Sequence, residues 1–215
     1  MKTILITLSG THGTGKSTNA GRVYHLFNEC GWKFSYLRHQ DILDPFGFVV
    51  RRAAWILGLT EHELGKKRPL RVLWAIYILF VYFPILICGI KLRQLCGYNV
   101  VCDRYIFDTL VGFRGNETKI PMERLVLWII PIPQLSFVLD APEERILANR
   151  PEHTAEYIRK EQRLYQLVAD RFHLKRVSTA YPVSVIWQNM RRDIEAALSA
   201  SKSQRDLLIQ QKVSK

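Results

Sequence analysis

The chain has 215 residues, 48% of them hydrophobic and 23% charged, and its 31 Lys and Arg against 19 Asp and Glu leave a formal charge of +12. That length fits one ordinary domain able to bury a core without disulfides, and the apolar content excludes a wholly disordered chain. The basic residues are spread over Arg51-Arg52, Lys66-Lys67-Arg68, the Arg145 to Arg176 stretch and the last residues of the chain, a pattern that favours steering of phosphates over a nucleic-acid footprint.

Taken in chain order, Lys2 to Leu8 is rich in Ile, Leu and Thr, as a strand buried on both faces would be. Its apolar run is too short for a signal peptide, and a cytoplasmic location is expected. Glycines follow, then Ser17 to Cys30 with Val23, Leu26 and Phe27 at helical spacing and Gly31 as the stop. Further strands are predicted at Phe34 to Leu37, Asn99 to Cys102, Leu135 to Leu139 and Leu174 to Val177. Helical stretches separate them, with Thr60-x-x-Glu63 as a capping box and Pro121 and Pro182 at first-turn positions. After Pro182, Ile186, Met190, Ile194 and Leu198 keep one apolar face, and the tail after Ser199 is polar and expected to fray. Cys30, Cys88, Cys96 and Cys102 form no metal-ligand spacing and read as small buried residues in a reducing compartment.

Val72 to Ile90 runs nineteen residues without a charge. It is expected as a long buried or subunit-interface helix kinked at Pro84, with contact to a membrane as the alternative. Alternating strands and helices predict an α/β fold with a five-stranded, mainly parallel sheet covered on both faces. One domain over residues 1–200 is expected, with a short lid near 145–160 and a polar tail at 201–215.

The sharpest motif is Gly10-Thr11-His12-Gly13-Thr14-Gly15-Lys16-Ser17, followed by Thr18, which matches G-x-x-x-x-G-K-[ST] between a predicted strand and a predicted helix. Glycines let successive N–H groups turn inward around phosphate oxygens, and the helix N-terminus adds partial positive charge. Lys16 is expected to reach the outer phosphates of ATP and Ser17 to ligate Mg²⁺. Asp103, ending an apolar strand, is the second candidate metal ligand.

Asp103-Arg104-Tyr105 after that strand, together with the loop, resembles thymidylate kinase and related nucleoside monophosphate kinases of the P-loop NTPase fold. Pro133 to Glu143, Tyr165-x-x-x-Ala169 and Phe113-x-Gly115 extend the likeness. The resemblance implies transfer of the γ-phosphoryl group of ATP to a small acceptor, dTMP or another nucleoside monophosphate by default, with Mg²⁺ as cofactor. It implies that Arg104 contacts the transferring or acceptor phosphate and that Arg150 in the lid closes over the γ-phosphate. Arg38, Tyr82 and Tyr105 are the further acceptor-site candidates, and a homodimer is implied.

The sequence departs from that family at three places. His12 stands where an acidic residue is common, His39-Gln40 follow Arg38 in place of Glu-Pro, and the nucleotide-site arginine falls near Tyr82 or Phe83, where none is present. His12 and His39 are therefore candidate acceptor-site groups, His39 as a base. A non-nucleotide, apolar or lipid-linked acceptor and a non-catalytic nucleotide-binding module stay open as alternatives.

Overall fold

A computed structural model describes residues 3–39, 41, 48, 52, 68–115 and 122–213, with the backbone alone at 68–71 and 203–213. The elements in chain order are β1 (Leu5–Gly10), α1 (Lys16–Glu29), β2 (Phe34–Arg38), α2 (Arg68–Tyr77), a π-helical turn (Ile78–Tyr82), α3 (Phe83–Leu95) and β3 (Asn99–Asp103). There follow α4 (Ile106–Gly115), α5 (Glu123–Ile129), β4 (Leu135–Asp140), α6 (Glu143–Asn149), α7 (Ala155–Phe172), β5 (Lys175–Ser178) and α8 (Val183–Val213).

The strands form one parallel sheet in the order β2-β3-β1-β4-β5. Every residue of β1 is buried, because this central strand is covered on both faces. Alternation along it divides the core in two. Ile4, Ile6 and Leu8 face α1 and α8, whereas Leu5 faces the layer of α2, α3, α4, α5 and α7. Ile186, Met190, Ile194 and Leu198 of α8 are all buried, as their spacing predicts, and the helix continues beyond Ser199 to Val213.

Strand β1 runs two residues further than the sequence suggests. Gly10 still pairs with Leu139 of β4, so closely that an added Cβ would lie 2.1 Å from the Leu139 carbonyl oxygen. The strand thus delivers the glycine-rich loop to the carboxyl edge of the sheet. The capping box at Thr60 and Glu63, Gln40 and the first-turn Pro121 lie outside the described residues.

The apolar stretch forms a long helix with a widened turn before Pro84. The N–H of Phe83 donates to the carbonyl of Ile78, a five-residue separation that absorbs the donor missing at proline. The expectation of a buried helix holds for one face only. Ile78, Tyr82, Phe83, Leu86 and Ile90 are in the core, while Val72, Leu73, Ile76, Phe80, Ile85 and Leu92 are exposed. Val72–Leu95 is long and apolar enough to cross a membrane; an 18-residue stretch of it has mean hydropathy 2.4, and 33% of that stretch is buried.

The cysteine expectation is corrected. Cys102 alone is buried, and Cys30, Cys88 and Cys96 are exposed thiols. Cys30 and Cys96 follow the last turns of α1 and α3, where the chain leaves the core.

The two faces of the long helix make different predictions. Leu86→Ala should cost about 2–5 kcal/mol in chemical denaturation, as cavity formation does. Leu92→Ala, on the exposed face, should change stability by less than about 0.5 kcal/mol.

Candidate active site

The loop is shaped by three left-handed glycines, Gly10 (φ 140°), Gly13 (φ 78°) and Gly15 (φ 84°). A side chain at any of them would strain the backbone. Gly15 precedes the first turn of α1, so the helix opens directly onto the loop, and the Thr14 hydroxyl donates to the Thr11 carbonyl at 2.8 Å. Ser17 and Thr18 are exposed on that first turn, His12 is half-buried and Thr11 is buried.

Lys16 is 5% exposed. Its ammonium group folds back over the loop and donates to the carbonyls of Gly10 at 2.7 Å and Thr11 at 2.6 Å. Burial, and then the neighbouring Arg104, lower it from its ordinary 10.5 to about 8, against the opposing pull of Asp108, Glu161 and Asp103. A buried cation is therefore held in place before any phosphate arrives.

Asp103 ends β3 in register with Leu8 of β1 and Arg38 of β2. Its Oδ2 accepts a hydrogen bond from the Tyr36 hydroxyl at 2.9 Å. Its Oδ1 is buried with no partner among the described residues, an orphaned acceptor of the kind a cation or bound water satisfies. Burial and then the bond to Asp103 hold the Tyr36 phenol well above its ordinary value.

Arg104 occupies a left-handed backbone conformation, φ 74°. For a long side chain that conformation is strained, and such strain persists where the surroundings impose it. Here the Arg104 N–H is bound to the Leu8 carbonyl at 2.9 Å, which turns the chain sharply at the sheet edge. The half-buried guanidinium pairs with none of the described carboxylates.

Asp108, which the sequence reading missed, secures this turn. It sits at the third position of α4 and reaches back to the Tyr105 N–H at 3.0 Å, the backward half of a capping box. It also accepts from the Ser9 hydroxyl at 2.6 Å and the Tyr165 hydroxyl at 2.8 Å. The local signal is an acid three residues after the helix cap; the long-range partners carry none.

The acceptor-site candidates fall in different places. Arg38 is exposed at the end of β2 beside Asp103. Tyr82 and Tyr105 are fully buried, and the Tyr105 hydroxyl donates to the Pro131 carbonyl. Neither ring offers an open face for stacking. Tyr82 instead shares a short hydrogen bond with His39 Nδ1, the rings meeting edge to face at 4.7 Å. Burial lowers His39 from 6.5 to about 4, so the imidazole is neutral at pH 7. That is a weak base, locked to a core tyrosine.

The stretch near 145–160 folds as the end of α6, a bend and the first turn of α7, where Thr154 accepts from the Tyr157 N–H at 3.2 Å. It lies against the loop. Asn149 Nδ2 donates to the Gly13 carbonyl at 3.1 Å, and a Cβ on Gly13 would stand 3.4 Å from Arg150 Cγ. The Arg150 guanidinium itself pairs with Glu152 at 3.4 Å and is half exposed. Arg145 donates to the Thr179 carbonyl and Arg159 pairs with Glu143 at 3.5 Å, so both are engaged away from the loop.

Glu161, on α7 between Arg159 and Arg163, is buried, 8% exposed. Its carboxylate accepts from His12 Nδ1 at 3.1 Å and from the His12 N–H at 3.4 Å. The fold thus returns a carboxylate to the third loop position, where the sequence has His12.

The arrangement fits nucleotide and Mg²⁺. Three left-handed glycines leave room for phosphate, and the exposed Ser17 hydroxyl and the buried Asp103 Oδ1 without a partner among the described residues are oxygen donors of the type Mg²⁺ takes. Among the described residues there is no cluster of three or more His, Cys, Asp or Glu that could hold a metal ion.

The parallel sheet, its strand order and the glycine loop after its central strand define an α/β P-loop NTPase-type fold. No protein-family model matches the chain. It is similar to a protein named "probable thymidylate kinase" from Archaeoglobus fulgidus, 25% identical over 209 residues that cover 93% of this chain and 99% of that protein. The likeness is to a thymidylate-kinase-like protein and spans nearly the whole domain.

The His39 environment predicts an acid-sensitive stability. Its pKa is depressed by folding, so its contribution is complete above about 6.5 and is lost as pH falls from there to about 4. That difference is worth about 3 kcal/mol. Denaturation of the wild type and His39→Gln across pH 7 to 4 should show the wild type losing that much more; parallel profiles would exclude this assignment.

Proposed function

We propose that the chain transfers the γ-phosphoryl group of ATP to a small acceptor, as a thymidylate-kinase-like phosphotransferase. The observation that carries this is the trio at the carboxyl edge of the sheet: a buried, lowered Lys16, and, on a strained turn, an Asp103 oxygen and an Arg104 side chain that have no hydrogen-bond or ion-pair partner among the described residues. Phosphoryl transfer demands positioning and charge neutralisation more than covalent chemistry, and these groups supply both. Ser17 and Asp103 would hold Mg²⁺, which when bound would supply neutralisation of phosphate charge. Lys16 exchanges its two loop carbonyls for phosphate oxygens. Arg104 provides a planar fork for the acceptor or transferring group, and Arg150 sits close enough to the loop to close over it.

A nucleoside monophosphate, dTMP first, is the default acceptor by resemblance. Release of ADP with a panel of nucleoside monophosphates tests it. Lys16→Ala and Arg104→Ala should each lower turnover by about 10²–10³-fold, and wild-type rates in Lys16→Ala would remove the loop from the reaction.

A non-nucleotide, apolar or lipid-linked acceptor is the second reading. It is favoured by Tyr82, sealed in the core where a nucleotide site would need a cation, and by the exposed apolar face of α2 and α3. That face follows Lys66-Lys67-Arg68 and Arg71 in the sequence and carries Lys91, so its charge complements an anionic bilayer surface. Wild-type protein should sediment with phosphatidylserine vesicles, and Phe80→Ser with Ile85→Ser should not. A wild type that ignores vesicles but has twice the mass of that variant would assign the face to a second copy instead.

A further inference from the structure

His12 and Glu161 form a pair that transfer to a phosphate acceptor does not require. A phosphate oxygen is already anionic at neutral pH, whereas an alcohol must give up its proton as the new O–P bond forms. The carboxylates and imidazole nearest Lys16 and Arg104 are otherwise committed. Asp103 is bound to Tyr36 and faces the metal position, Asp108 receives Ser9, Tyr105 and Tyr165, and His39 is held by Tyr82.

His12 is different. Its ring projects from the phosphate loop with one third of the side chain exposed. Glu161, 9% exposed at the side chain, holds both its Nδ1 and its backbone N–H. With Nδ1–H donated to the carboxylate, Nε2 carries the lone pair, and Nε2 has no hydrogen bond among the described residues. The ring is braced further by His153 at 5.6 Å, itself stacked on Tyr157 at 4.8 Å. Glu161 acts electrostatically on Lys16 and on Tyr157, Arg104 acts on both of those groups, and Arg150 lies over Gly13. These are the charged and titratable groups facing the pair.

We propose that the acceptor's nucleophile is a hydroxyl group and that His12, oriented by Glu161, is its general base. This rests on the phosphotransfer reading but departs from its default monophosphate acceptor, naming an alcohol as the acceptor's chemical class. As the alcohol oxygen bonds to the γ-phosphorus, its proton passes to His12 Nε2, the bond from that phosphorus to the bridging oxygen of ATP breaks, and ADP leaves. The imidazolium then returns the proton to solvent. His12 touches the substrate; Glu161 is a positioning residue.

The test offers each acceptor as alcohol and as monophosphate: thymidine with dTMP, adenosine with AMP, farnesol with farnesyl monophosphate in micelles, and water alone as the minimal hydroxyl. ADP release should follow the alcohol members and rise with pH along an acidic limb. His12→Gln should lower that rate by about 10²-fold or more and abolish the limb. Glu161→Gln, the milder variant should His12→Gln fold poorly, should keep the limb but lower the rate, because the imidazole is no longer held in one orientation and tautomer. Nitrogen NMR should show His12 protonated at Nδ1 in the wild type and a mixture of tautomers in Glu161→Gln. Turnover with the monophosphate members alone, or a His12→Gln profile matching the wild type, would overturn the proposal. If no organic acceptor reacts, acceptor-free ATP hydrolysis decides by the same two criteria. Lys16→Ala separates the failures: normal hydrolysis in that variant, or no wild-type turnover under any condition, sinks the phosphotransfer reading itself. An inactive Lys16→Ala with an unchanged His12→Gln sinks the pair alone.

Discussion

The site depends on one buried carboxylate, Asp108. It receives hydroxyls from Ser9 at the end of β1 and Tyr165 in the middle of α7, and the N–H that opens α4. Three elements distant in sequence are thereby fixed to one point beneath the loop. Charge-assisted hydrogen bonds of this kind are stronger than neutral ones, and their low-dielectric setting makes loss of any partner costly. Lys16 lies within its electrostatic reach, so the same charge that ties the elements together also opposes the cost of burying that cation.

Around that anchor the cationic side is held in a loaded state. Lys16 is buried on loop carbonyls and Arg104 stands at an unfavourable backbone angle. Both a buried cation and a left-handed non-glycine residue cost stability. The bend after α6 already rests on Gly13 through Asn149, so the loop is approached from above as well as below. Glu161 joins in because α7 packs on α4 deeply enough to turn one face inward, leaving Arg159 on the other.

The acceptor side follows a different physical logic. Tyr82 closes the space between the long helix and His39, and burial keeps both groups neutral. Among the described residues, the outer face of that helix leaves Val72, Leu73, Ile76, Phe80, Ile85 and Leu92 exposed, and a contiguous apolar surface of that kind is characteristic of contact sites.

The parallel sheet, the glycine loop, α1, the buried face of α8 and the charge-free helix were legible in the sequence because each is a local pattern. Alternation, 3.6-residue periodicity and the left-handed demand of Gly13 and Gly15 are written in neighbouring residues. Strand β1 was read short because its last pair, Gly10 with Leu139, involves a partner 129 residues away. Lys16, Ser17, Asp103 and Arg104 stand out by motif, yet nothing local says that Arg104 is strained or that one Asp103 oxygen lacks a partner among the described residues. The burial of Tyr82, the exposure of three cysteines and the meeting of His12 with Glu161 were decided by the tertiary structure alone. Each depends on which face of a helix meets the sheet and at what depth, a property of packing between segments that no single segment encodes. The sequence by itself determined a glycine-rich loop of the phosphate-binding pattern on an α/β scaffold; the tertiary structure decided which side chains lie beside it.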